Sequence, residues 1–362
     1  VPPAVSALAG RAAARATDSG RARPRAVALW LLICCALVAL MVVVGGLTRL
    51  TESGLSIVEW RPFTGVVPPL TEAAWQVLFD AYKQYPEFQR VNPDMTLAGF
   101  QGIFWLEFVH RLLGRLIGLA FLLPLLWFWI RGAIPRGYHA RLVGLFVLGG
   151  LQGVLGWVMV QSGLVDRPDV SPIRLAAHLG LAVVIYAAML WVALDLLRGP
   201  PALALAERIW TRRLGGLALA LAGATLIAGA LVAGYKAGLS FNTFPRMAGQ
   251  WVPFGVLHLE PWWRNPFENI ITIQFQHRVL ALVTLLAVLA FAVAAWRAPV
   301  SSGTRWAVRL LPVMILAQVG LGIATLLLYV PTPLASAHQA GALALVTLLV
   351  VACHGLRTAP PA

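Results

Sequence analysis

Eight apolar runs, each at or near the roughly 20 residues a helix needs to cross about 30 Å of hydrocarbon, constrain this chain more than any motif does. They lie near residues 27 to 47, 102 to 130, 142 to 162, 174 to 196, 214 to 234, 270 to 296, 310 to 329 and 334 to 355. The chain therefore reads as an all-α polytopic membrane protein. Composition agrees, because 59% hydrophobic residues, 12% charged residues and a mean hydropathy of +0.79 lie outside the soluble range. The last two runs are divided only by VPTPL, Val330 to Leu334, whose two prolines favour a turn over a continuing helix.

Positive residues in short loops stay on the cytoplasmic side. Arg11, Arg15, Arg21, Arg23 and Arg25 precede the first run, Arg131, Arg136 and Arg141 follow the second, and Arg198, Arg208, Arg212 and Arg213 follow the fourth. With Arg297, Arg305, Arg309 and Arg357 these loops carry sixteen of the 28 basic residues, which places both termini inside. The net charge of +14 is thus a membrane signal, spread over helix ends, and not the clustered basic face that nucleic acid would need. Cys34, Cys35 and Cys353 all fall within runs and read as small buried hydrophobes.

The sequence repeats itself. GGLTRLTESGLS (Gly45 to Ser56) aligns with GALVAGYKAGLS (Gly229 to Ser240), and EFVHRLL (Glu107 to Leu113) with QFQHRVL (Gln274 to Leu280). LQGVLG (Leu151 to Gly156) aligns with AQVGLG (Ala317 to Gly322), and AAHLG around His178 with SAHQA around His338. The order predicts eight transmembrane helices as two tandem four-helix bundles related by a pseudo-two-fold axis, with an outer-face cap made by the loops 48 to 101 and 235 to 269. The expected organisation is a cytoplasmic tail at 1–26, which a transit-peptide remnant would also explain, and an N-terminal bundle at 27–198. A linker at 199–213, a C-terminal bundle at 214–356 and a tail at 357–362 complete it. Within the first loop, Trp75, Leu78, Phe79 and Tyr82 have the spacing of a surface helix over Thr71 to Phe88.

Four of the seven histidines occupy aligned positions on alternate spans: His110, His178, His277 and His338. A lone membrane histidine is often a hydrogen-bonded packing residue. Two imidazoles at one depth on facing helices are also what a six-coordinate haem requires, whereas zinc would want more ligands, usually including cysteine or carboxylate. Gly114 and Gly118, and Gly149 and Gly153, permit either close helix packing or a flat macrocycle. Arg111, Arg115 and Arg278 need anionic partners inside a membrane or must snorkel to its edge, and haem propionates would serve. Glu107 shares a helical face with His110, while its counterpart is Gln274; this suggests different duties for the two halves, unless Glu107 only pairs with Arg111 or Arg115. His139, His258 and His354, in loops or at a helix end, are expected to be solvated or interfacial.

GGLTRLTESGLSIVEWRPFTGVVPPL, FWLEFVHRLLGRLIG, FQHR and SAHQ together resemble the haem A synthase family across all eight spans, in the branch without a Cys pair in the first outer loop. The resemblance implies oxidation of a methyl group of haem O to a formyl group by successive hydroxylations, giving haem A for terminal oxidases. It implies a resident haem b between His277 and His338, substrate haem O between His110 and His178 with Arg111 and Arg115 nearby, and Glu107 in proton transfer or water positioning. Membrane lipid, haem O synthase and terminal oxidase assembly factors are the implied partners, and the bacterial or mitochondrial inner membrane the implied location. The rivals are a di-haem cytochrome b that only carries electrons and, from another class, a transporter with a His-lined path.

Overall fold

The computed structural model describes residues 21–61, 64–165, 167–198, 209–298 and 300–357. Most of the expected tails, and residues 199–208 of the expected linker, lie outside them. Among the described residues, eight helices are long and apolar enough to cross a membrane: α1 Pro24–Leu50, α2 Leu97–Ile130, α3 His139–Gln161, α4 Pro172–Arg198, α5 Ile209–Gly234, α6 Ile270–Ala295, α7 Ser302–Leu327 and α8 Thr332–Gly355. Each overlaps one expected run, and α7 begins eight residues before its run of 310 to 329, taking Arg305 and Arg309 out of the loop and into the helix. α7 and α8 part where the prolines predict, with Tyr329 and Val330 in the left-handed region at φ 60° and 58° and Pro331 opening α8.

In lipid, apolar faces gain little from meeting one another, so helices associate through shape and small residues. α1 packs on α2 and α4, and α3 on α4; one half later, α5 packs on α6 and α8, and α7 on α8. Between these sets α1 meets α8, α4 meets α5, and α4 meets α8. At the cap end, Glu52 and Lys236, which occupy the same place in the repeated segments, share a left-handed φ and pair with each other. Arg49 beside them donates to the Ala233 carbonyl at the end of α5.

The first loop folds over α2. Thr71 caps the helix Glu72–Tyr82 by accepting from Ala74 N, and the apolar stripe Trp75, Leu78, Phe79 and Tyr82 meets Phe100, Phe104 and Phe108. The expected single segment ends at Tyr82 and resumes as Pro86–Arg90, because Pro86 has no N–H with which to continue the ladder. Glu87 is buried there, and burial pushes its carboxyl up to about 8, opposed by a hydrogen bond with Tyr82 and reinforced by Glu107, Glu52 and Asp169. The folded protein holds this proton above the ordinary 4.5, so cap stability falls as pH rises from about 4.5 to about 8. Glu87→Gln is expected to flatten that fall, read as protease sensitivity of the cap against pH. An unchanged slope would remove Glu87 as its source.

One expectation is corrected. His354 is fully buried, not solvated: it lies edge-on to Trp191, with Nε2 2.9 Å from Asp195 Oδ1 and Nδ1 2.8 Å from Arg357 Nη1. Asp195 also accepts from Arg141, so the carboxylate that compensates the buried ring joins the ends of α3, α4 and α8 away from the cap.

Candidate functional site

The four aligned histidines sit on α2, α4, α6 and α8, each backed by a glycine of the preceding helix. A Cβ added to Gly156 of α3 would lie 2.9 Å from His178 Cε1, and one on Gly322 of α7 would lie 2.8 Å from His338 Cε1. A Cβ on Gly229 of α5 would lie 3.0 Å from His277 Cε1, and one on Gly45 of α1 would lie 3.0 Å from His110 Nε2. Glycine fits each place without displacing the ring, which lies close to the neighbouring backbone.

The rings differ in how they are held. His277 Nδ1 lies 3.1 Å from the Thr225 carbonyl oxygen, which can only accept, so Nδ1 carries the proton and Nε2 keeps its lone pair. Gln318 donates to the His338 carbonyl at 2.8 Å, and Gln152, its repeat counterpart, donates to the His178 carbonyl at 3.0 Å. His338 Nδ1 and both glutamine Oε1 atoms are buried without a hydrogen-bond partner. Two imidazoles per half, with no group of three or more His, Cys, Asp or Glu among the described residues, could hold a haem iron but do not make a closed four-ligand metal site.

Glu107 is buried on α2, one turn before His110. Oε2 accepts from Ser56 Oγ at 2.6 Å and Ile57 N at 2.8 Å, while Oε1 accepts from Arg111 Nε at 2.9 Å and Nη2 at 2.6 Å. Arg111 donates further to the carbonyls of Ile57 and Glu59 at 2.6 and 3.0 Å. The second half repeats the strap without the acid: Arg278 donates to the carbonyls of Phe241 and Thr243, both at 2.8 Å, and Gln274 Nε2 donates to Phe241 O at 3.2 Å. Gln274 Oε1 is left without a donor. The pairing of Glu107 with Arg111, one of the two sequence alternatives, is therefore present, and it fastens the strap Ser56 to Glu59 onto α2.

Arg115 donates to the Arg61 carbonyl at 2.7 Å. With Arg111, Phe104 and Phe108 it lines a cavity of about 320 Å³ beneath the first cap. On a helical wheel that face lies on the order of 130° from His110. The sequence therefore brings Glu107, Arg111 and Arg115 to the cap side of α2, and His110 to the side facing α1.

The backing glycines and the two glutamines were missed in the sequence, although Gly45, Gly156, Gln152 and their counterparts lie inside the aligned segments. Gly118, Gly149 and Gly153, which were noticed, would meet no heavy atom within 4 Å with a Cβ added, so close helix packing does not explain them.

A family model described as cytochrome oxidase assembly protein, COX15-CtaA, matches residues 28–350. The chain is 50% identical over 344 residues to a "Heme A synthase" of Nitrosospira multiformis, covering 94% of this chain and 96% of that protein. It is 52% identical over 341 residues to the "Heme A synthase" of Rhodospirillum centenum, covering 94% and 90%. To the "Heme A synthase COX15" of Mus musculus it is 44% identical over 347 residues, covering 94% and 84%.

Proposed function

The chain belongs to the COX15-CtaA family of cytochrome oxidase assembly proteins, and from that premise we infer that it is a membrane oxidoreductase of haem A biosynthesis that converts haem O to haem A. The observation that carries this reading is the doubled arrangement of histidine, backing glycine and supporting glutamine, with a carboxylate beside only one copy. Residues 27–198 take the substrate haem O between His110 and His178. Residues 214–356 hold a resident haem b between His277 and His338. When bound, haem b supplies reversible one-electron chemistry, while the protein fixes ring orientation and excludes lipid and water.

Four features of the residues support this fit. The His277 proton is committed to Thr225 O, which leaves Nε2 as the ligating atom. The glycine contacts set the planes of the imidazoles. Glu107 is the acid for proton transfer or water positioning at the methyl group being oxidised, and the Ser56 hydroxyl is the partner that can rotate away to admit another donor. Arg111 and Arg115 hold the strap and take the propionate edge of haem O.

The protein works in the bacterial or mitochondrial inner membrane, with termini in the cytoplasm or its organellar equivalent and the cap outside. It receives its amphiphilic substrate from haem O synthase through the lipid and hands the product to oxidase assembly factors. Expression in a host that makes haem O but not haem A tests the activity. Haem A is expected in the extracted pigments. Its absence from a preparation that retains a bis-histidine Soret spectrum would favour the di-haem electron carrier.

A further inference from the structure

Of the contacts between the halves, α1 with α8 and α4 with α5 are repeat-related, and of those two only the first carries a hydrogen bond among the described residues; α4 and α8 are joined separately by Tyr186 and Thr347. Gln339, the residue after His338 on α8, donates through Nε2 to the Val42 carbonyl of α1 at 2.6 Å. Its amide lies flat against Gly46, where an added Cβ would overlap Oε1 and come within 2.7 Å of Cδ and Nε2. Gly46 is next to Gly45, the residue that backs His110. In the repeat, Leu179 follows His178 where Gln339 follows His338, and Ala230 follows Gly229 where Gly46 follows Gly45. Leu179 and Ala230 meet in one apolar cluster. One interface thus has a glycine admitting a hydrogen-bonded glutamine, and the other has an alanine and a leucine in an apolar cluster.

This difference has a mechanical meaning. In lipid a single cross-helix hydrogen bond contributes little net stability, so the contact is no anchor of the fold. What it fixes is register: a donor held on Val42 O pins the rotation of α8, and so the His338 ring, to α1. The path from His338 to His110 then runs through Gln339, the α1 turn from Val42 to Gly46, and Gly45. The path from His178 to His277 crosses only apolar packing, which slides more easily.

Resting on the haem A synthase reading, we propose that Gln339, seated against Gly46, is a positioning residue that couples the two haem sites, so that occupation of the substrate site alters the resident haem through His338. Substrate that moves His110 against Gly45 also moves α1, and Gln339 passes the displacement to the ligand beside it. By reciprocity the state of the resident haem biases substrate affinity equally. Repeat symmetry alone would not produce this one-sided link. It follows from Gln339 and Gly46 replacing what are Leu179 and Ala230 in the other interface.

The test uses full-length protein in lipid nanodiscs and the zinc analogue of haem O, which is redox-silent. Redox titration of haem b is followed with the first site empty and with it loaded. Wild type is expected to shift its haem b midpoint potential on loading. Gln339→Met keeps the shape without the donor, and the double substitution Gly46→Ala with Gln339→Leu copies the packing of the opposite interface. Both are expected to keep haem b content and the thermal unfolding midpoint while losing the shift. Either variant retaining the wild-type shift, or a wild type that shows none, would overturn the proposal. So would loss of haem b from both variants, which would make Gln339 merely structural. Wild-type protein without any haem b would instead defeat the underlying functional reading.

Discussion

His277→Ala and His338→Ala are each expected to strip haem b from the purified protein, with the low-spin Soret and α bands lost and helical content kept. The expectation is near-total loss, because a porphyrin iron held by two imidazoles loses half its axial ligation with either one. Each ring lies beside a glycine of the preceding helix, His277 at Gly229 and within reach of the Thr225 carbonyl, and His338 at Gly322. Truncation therefore leaves the helix contacts elsewhere in α6 and α8 in place, among them the apolar cluster around Phe291, Leu345 and Leu349. Gly229→Ala and Gly322→Ala should give a graded version of the same result. A Cβ at 3.0 or 2.8 Å from Cε1 must push the ring away by a few tenths of an ångström, which tilts the ligand without deleting it. A several-fold lower haem b content is expected there, while Gly45→Ala and Gly156→Ala leave haem b intact and weaken binding of haem O. A complete low-spin spectrum in both histidine variants would refute the assignment. Equal haem b loss from all four glycine variants would show that the halves do not divide their duties.

Why the fold was so legible follows from what each signal depends on. A span is declared by its own length and apolarity, and the break at VPTPL by proline geometry within five residues, so all eight helices could be read locally. The two-half reading rests on aligned segments that keep letters such as the histidines. The glycines at 45, 156, 229 and 322 carry no such mark. A glycine that admits an imidazole looks like one that faces lipid until the rotation and depth of two helices are known. Gly149 and Gly153, conspicuous by spacing, touch nothing, while Gly156 is the one that matters. His354 misled for a related reason, since its nearness to a helix end suggested solvent, but Asp195 on another helix supplies the compensation that lets it be buried. Arg278, and Arg111 beyond its pairing with Glu107, are held by backbone carbonyls of the strap, which no side-chain pattern announces.

Glu107→Gln is expected to leave haem b at wild-type content and to lower haem A formation by about 10²- to 10⁴-fold, the range that loss of a positioned acid or base typically produces. The second half indicates that the fold will tolerate the change. Gln274 occupies the equivalent place, and Arg278 still grips the carbonyls of Phe241 and Thr243. In the variant, Arg111 should likewise keep Ile57 and Glu59, so the strap stays closed and its protease resistance should be unchanged. That control separates chemistry from scaffolding, because a carboxylate serving only as the strap's clamp would lose strap order and activity together. Ser56→Ala supplies the second separation. Its hydroxyl is the one Glu107 partner on a freely rotating bond, since Ile57 N is backbone and Arg111 is tied by two further carbonyls. If protons leave the substrate by way of Ser56, its removal should shift the pH profile of haem A formation while the strap stays closed. If they reach Glu107 directly, Ser56→Ala should be nearly silent and only Glu107→Gln should fail. Haem A formed at the wild-type rate by Glu107→Gln would end the case for a catalytic carboxylate and leave Glu107 as a fastening for the cap.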